Sequence, residues 1–281
     1  MNSQESPAVV PDDARSAVNS LESSYRAVGV GEEQIAYVTG NIGRPGFFGL
    51  KDKNRILDCH LAALTNLLVR GGTLVMPSFS WGILENPRPI FDPHETPSET
   101  GMLSEFLRKR PGSHRSSHPL ASIVAFGGDS ETLSKSPSRH AYGPLSPWDF
   151  MVQQGARFVS VGMPLERTIS LVHHVEHIMA VPYRFVKAFQ VRIRVESGSL
   201  EEKEFYLKVL DRGQEIKRDR NVSIMTVIRS RGLVRRSALG ASFVESILMK
   251  DFVDTTSELM AADPYIWLAE RPRALPYEKF S

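Results

Sequence analysis

Only one cysteine, Cys59, occurs in 281 residues. That excludes an internal disulfide framework and a zinc site built from several thiolates. No stretch approaches the roughly 18–20 uninterrupted apolar residues of a membrane-spanning helix. The opening Met1-Asn2-Ser3-Gln4-Glu5-Ser6-Pro7 has neither the basic nor the apolar region of a secretory signal. Charge of one sign is scarce overall, since 34 Lys and Arg nearly cancel 32 Asp and Glu. The three Trp and seven Tyr do not interleave with a basic stripe, so nucleic-acid binding has no footprint. What is present is an ordinary globular balance, 41% hydrophobic and 23% charged. We expect a cytoplasmic protein with one domain from residue 14 to 281, behind a disordered segment 1–13.

Periodicity organises the chain. Ala17, Val18, Leu21, Tyr25 and Val28 have helical spacing. Gln34 to Val38 reads as a buried strand, Gly40 to Gly46 as a glycine-rich loop, Lys53 to Arg70 as an amphipathic helix, and Thr73 to Pro77 as a second strand. Strand, loop, helix, strand in this span is a βαβ unit with parallel pairing. Residues 78–119 are rich in proline, with one helix near Met102 to Arg110, and form a cleft wall or lid. Further strands are expected at Ser122 to Phe126 and Arg157 to Gly162, and a helix at Val172 to Met179. Alternation at 183–195 and 203–209 predicts a smaller antiparallel element. Helices are expected at Val222 to Arg231 and Ala241 to Glu258. The fold class is therefore α/β, a three-layer α/β/α sandwich around a mostly parallel sheet.

His173-His174-Val175-Glu176-His177 is the sharpest local signal. On a helix His173 and Glu176 are i,i+3 neighbours, so the carboxylate reaches one imidazole nitrogen and leaves the other as a general base. The same five residues fit H-x-x-E-H, which would make His173 and His177 zinc ligands, with Glu245 or Glu258 as third ligand. A histidine-rich helix end with satisfied polar contacts is the plain alternative. The loop at Gly40 to Gly46 suits phosphate or a tight turn, but lacks the G-x-G-x-x-G spacing of a dinucleotide site. From Arg184 to Arg236, 14 Lys and Arg face 7 Asp and Glu, a local excess suited to phosphate.

Taken in order, several segments resemble the aminoglycoside 3-N-acetyltransferase family. They are Gly72 to Trp81, Phe91-Asp92-Pro93, Thr96-Pro97-Ser98, Gly101 to Arg108, Arg115 to Pro119, Ala121-Ser122, Tyr142 to Pro147 and Leu171 to Glu176. The resemblance implies an acetyl-CoA-dependent N-acetyltransferase acting on an amine of an amino-sugar-like substrate, without a metal. It makes His173 the base that deprotonates the amine and Glu176 its carboxylate partner. Thr39, Gly40, Asn41, Gly43, Ser78, Arg115 and Ser116 are the expected cofactor contacts. Trp81, Asp92, Glu105 and Tyr142 are the expected substrate contacts, and Ser78, Ser80 or backbone amides the oxyanion donors. Where the family has His-Ser-Ser after its first core strand, this chain reads Val38-Thr39-Gly40-Asn41-Ile42.

The expected partners are CoA and a small-molecule amine, with no nucleic acid or membrane and a homodimer as one open assembly. A polycationic antibiotic calls for an acid-lined pocket, so a less cationic amine, including one on a nucleotide-linked sugar, is the expected acceptor. Two other readings stand beside this one: a zinc hydrolase on His173, Glu176 and His177, and a non-catalytic interaction protein that kept the fold.

Overall fold

The structure, a computed structural model, describes residues 12–195, 197–211 and 216–276. Most of the segment expected to be disordered, residues 1–11, lies outside the described residues. Helix α1 (Asp12–Ala27) leads into strand β1 (Ile35–Gly40), helix α2 (Lys53–Leu67) and strand β2 (Thr73–Pro77). Next come β3 (Ile90–Phe91), α3 (Met102–Arg108), β4 (His114–Arg115), β5 (Ile123–Gly127), α4 (Ser130–Ser134), α5 (Pro147–Gln153) and β6 (Arg157–Val161). The chain continues through α6 (Val172–Ile178), β7 (Arg184–Arg194), β8 (Leu200–Leu210), α7 (Val222–Ser230), β9 (Arg235–Leu239), β10 (Ser242–Leu248) and α8 (Met249–Ala262). Among the described residues, no helix is long and apolar enough to cross a membrane.

A seven-stranded sheet in the order β4-β5-β2-β1-β6-β10-β9 forms the middle layer, and β3-β7-β8 form the smaller sheet. In the seven-stranded sheet parallel pairing is confined to the centre, β2 with β1 and β1 with β6. The outer pairs β2–β5, β4–β5, β6–β10 and β10–β9 are antiparallel. The alternation of β1 divides the core. Ile35 and Tyr37 join Val75, Trp148, Phe158, Val175 and Phe252 on one face. Ala36 and Val38 join Leu21, Leu61, Leu64, Leu74 and Leu107 on the other. Helices thus cover both faces, and both are buried against them.

One expected helix is corrected. Of the span 241–258, residues Ser242–Leu248 are strand β10, and α8 begins only at Met249. Val244 to Ile247 are all buried, Glu245 and Ser246 included, so this interior strand shows no alternation, and its apolar Val244, Ile247 and Leu248 fall at helical spacing. Its neighbour β9, with exposed Arg235 and Arg236, carries too little apolar signal to be read as a strand. The antiparallel element is present as β7 and β8, paired along eleven residues from Arg184–Leu210 to Arg194–Leu200.

Candidate active site

Two cavities open where the carboxyl ends of the central parallel strands meet, the usual crevice of an open α/β sheet. The smaller, about 320 Å³, lies at the end of β1 between Thr39–Ile42 and the start of α3, Thr100–Ser104. The larger, about 630 Å³, follows β6 and is bounded by Glu166 to Ser170, His173, Arg218, Arg220, Asn221 and Trp267. Met163 lines both, so the cavities adjoin. Gly40 sits at φ 116°, and a Cβ there would fall 2.2 Å from the Val161 carbonyl oxygen. Glycine is needed for that crossing of β1 and β6, independent of any ligand.

Helix α6 is pinned by Val172 and Val175, both buried in the core. That orientation sets the histidines. His173 Nδ1 lies 2.7 Å from Glu176 Oε2, and 28% of its side chain remains exposed, toward the larger cavity. Glu176 is fully buried, and its other oxygen accepts from Arg184 Nε at 2.7 Å. Burial raises the Glu176 carboxyl, but Arg184 and then His173 outweigh it and hold it below its ordinary range. An ionised carboxylate at 2.7 Å requires the proton on Nδ1, which leaves the Nε2 lone pair available. Burial, opposed by Glu176, sets the imidazole below the ordinary histidine range, so it is neutral at pH 7. The His173 ring is packed edge-on by Trp267 at 5.2 Å and against Tyr142 at 5.5 Å.

The other two histidines of the helix serve structure. His174 Nδ1 accepts from the Gly143 N–H at 3.3 Å. His177 packs against His140 at 5.2 Å, and a Cβ on Gly143 (φ 95°) would meet its ring at 2.2 Å. The Tyr142-Gly143-Pro144 turn is therefore a docking surface for α6. The metal donor set is not gathered. Glu245 is held by Arg229 and Arg236, Glu258 by Arg231, and among the described residues no three His, Cys, Asp or Glu stand together to hold an ion.

The remaining expected residues divide. Thr39, Gly40 and Asn41 line the smaller cavity, with Asn41 Oδ1 also accepting from the Gly43 N–H at 3.0 Å. Gly43 stands behind that turn, outside the lining. Arg115 is buried, donating to the carbonyls of Ser78 and Thr96 and, at 2.8 Å, to Ser80 Oγ. Ser116 Oγ accepts from the Ile123 N–H at 2.9 Å. Neither residue touches the cavities. Ser78 is buried with its hydroxyl unpartnered, and Ser80 donates to the Pro97 carbonyl at 2.6 Å; neither faces a cavity. Asp92 pairs with Arg194 at 2.8 Å, and Glu105 with Arg108 at 2.7 Å, so both carboxylates brace the 78–119 segment. Trp81 is 44% exposed beside Phe79, and Tyr142 is buried behind His173. Sequence reasoning missed Arg184, Arg218 and Trp267. A charged residue inside the alternating strand at 184 was the available signal for the first.

Comparison with known proteins places the chain in a family. The family model described as aminoglycoside 3-N-acetyltransferase matches residues 56–261. The chain belongs to the aminoglycoside 3-N-acetyltransferase family. It is 31% identical over 183 residues to aminoglycoside N(3)-acetyltransferase VII of Streptomyces paromomycinus, which is 59% of this chain and 60% of that protein. The chain thus covers less than two thirds of that relative's length. Among solved structures of the family, AAC-IIIb in a binary complex with CoASH superposes with a TM-score of 0.72 at 25% identity, covering 87% of this chain and 96% of that one. AAC-VIa bound to sisomicin also gives 0.72, at 20% identity over 87% and 97% of the two chains.

Proposed function

We propose that this chain transfers the acetyl group of acetyl-CoA to the amine of an amino-sugar-like acceptor, with His173 as general base. The observation that carries the reading is the 2.7 Å contact between His173 Nδ1 and Glu176, which orients a neutral imidazole on the wall of the larger cavity. The smaller cavity suits the pantetheine arm. Val38, Ile42, Met76 and Leu103 supply apolar contact, and Thr39 and Ser104 supply hydroxyls. Its junction at Met163 would bring the thioester beside the acceptor's cavity. In the transfer, the amine nitrogen bonds to the acetyl carbon and the C–S bond breaks. The proton leaves nitrogen for His173 Nε2 and passes from there to the departing thiolate. Glu176 stabilises the transient imidazolium, and Arg184 keeps Glu176 ionised throughout.

The test is thiol release from acetyl-CoA with a panel of amines. The His173→Ala variant is expected to lose on the order of 10²–10⁴-fold in turnover while calorimetry still shows CoA binding. Unchanged turnover in that variant would remove His173 from the chemistry.

A further inference from the structure

The two cavities differ in charge. The one at the end of β1 is lined without a single ionisable side chain. The one beside His173 carries Arg167, Arg218 and Arg220, and among the described residues none of these three forms an ion pair. The only carboxylate among its described lining residues, Glu166, is bound on both oxygens by Arg229 at 2.7 and 2.9 Å. Among the described lining residues, a cationic wall therefore faces His173, with no carboxylate left to receive an ammonium.

These arginines are placed by the fold. The backbone at 217–219 is laced to 267–269: Ala269 donates to the Lys217 carbonyl, Asp219 donates to the Trp267 carbonyl, and Arg218 bridges Leu268. Arg218 lies over the Trp267 ring at 5.5 Å, and Trp267 in turn packs His173. Arg220 and Asn221 both take left-handed backbone, φ 59° and 64°. Asn221 Nδ2 ties that turn to the Glu166 carbonyl at 3.2 Å, opposite Arg167. A polycation entering here would meet three guanidiniums and lose hydration without compensation, whereas phosphate oxygens match guanidinium forks.

We infer that the acceptor amine is carried on a phosphate-bearing amino sugar, its phosphate held by Arg167, Arg218 and Arg220 while the amine lies at His173. The inference rests on the acetyl-transfer reading and names the acceptor class for that site. Phosphate also occurs in CoA itself, and the experiment separates the two sources.

Thiol release from acetyl-CoA is measured for wild type and the Arg218→Gln/Arg220→Gln variant with glucosamine 6-phosphate, a UDP-linked amino sugar, unphosphorylated glucosamine and gentamicin. At least one phosphate-bearing amine is expected to exceed both glucosamine and gentamicin by about tenfold or more in kcat/KM, and the double variant to lose about tenfold of that advantage. The KM for acetyl-CoA is expected to stay within about twofold. Gentamicin or glucosamine matching the phosphate-bearing amines overturns the inference. So does a loss confined to the KM of acetyl-CoA, which would assign the arginines to the cofactor. If no amine releases thiol, the acetyl-transfer reading fails separately. Calorimetry with pyrophosphate on CoA-saturated protein then decides: binding that the double variant weakens about tenfold upholds an anion site, and no binding to wild type sinks it.

Discussion

Arg184 and Arg115 are both buried guanidiniums, and they solve the same problem in opposite ways. Arg115 is surrounded by neutral acceptors, the Ser78 and Thr96 carbonyls and the Ser80 and Ser122 hydroxyls, with Phe91 beneath it at 4.7 Å. Burial pulls it down to about 9, with the nearby charge of Arg108 adding to the effect. Arg184 instead faces the Glu176 carboxylate and donates to the Lys208 carbonyl at 3.2 Å. The first arrangement ends with the arginine and ties the 78–119 segment to itself and to Ser122, just ahead of β5. The second passes its charge through a carboxylate to an imidazole at a cavity. A buried charge becomes useful when its counter-charge has an oxygen to spare.

Glu176→Gln should break the comparison most strongly. Arg184 donates to one oxygen of residue 176, so the glutamine carbonyl must take that place. Its NH₂ then faces His173 Nδ1, which moves the imidazole proton to Nε2 and removes the base. Turnover is expected to fall by about 10³–10⁴-fold, as when a triad carboxylate becomes an amide, with CoA binding retained. A loss of only a few-fold would show that the pair does not set the tautomer.

Arginine removal separates the two regions next. Arg184→Met leaves a buried carboxylate, and denaturant unfolding should show a loss of about 3–5 kcal/mol. Because Arg184 lowers the His173 imidazole, its removal should also move the acidic limb of the pH–rate profile to higher pH. Arg115→Met leaves only neutral acceptors unsatisfied, a loss of about 2–4 kcal/mol, and that limb should stay in place. A matching shift in both variants would end the distinction.

Buried imidazoles offer a third solution, which is to stay neutral. His60, bonded to the Tyr25 hydroxyl at 2.6 Å, and His118, near the Tyr206 carbonyl, are both held at about 4 by burial. The unfolded chain takes up these protons near pH 6.5, whereas the folded chain resists them until about 4. Stability is thus full above pH 6.5 and falls as pH drops toward 4, by up to about 3 kcal/mol for each ring. Denaturation midpoints at pH 7 and pH 4.5 measure this, and a flat profile would contradict it. The smallest effect is expected for Gly143→Ala. Its left-handed backbone and the His177 ring against it should cost about 1–2 kcal/mol, seen as a lowered Tm.

The His173–Glu176 pair was legible in the sequence because it is local: three residues on one helix bring the groups together whatever else folds around them. The βαβ unit at 34–77 and the long hairpin β7–β8 were legible for the same kind of reason, through period and turn residues. Strand β10 was not, because burial on both faces erases alternation. Arg115, Asp92 and Glu105 had the residue types of a ligand site, yet each is spent bracing one loop segment, and partner choice cannot be read from residue type.

The sequence by itself thus determined the family, the layered α/β class and the His173–Glu176 pair, since each rests on neighbours along the chain or on motif order. Only the tertiary structure decided that Arg184 completes the pair, that Trp267 packs His173, and that Arg167, Arg218 and Arg220 share one wall. Those contacts join positions up to about a hundred residues apart, and burial sets which charges are paired and which still face the cavity.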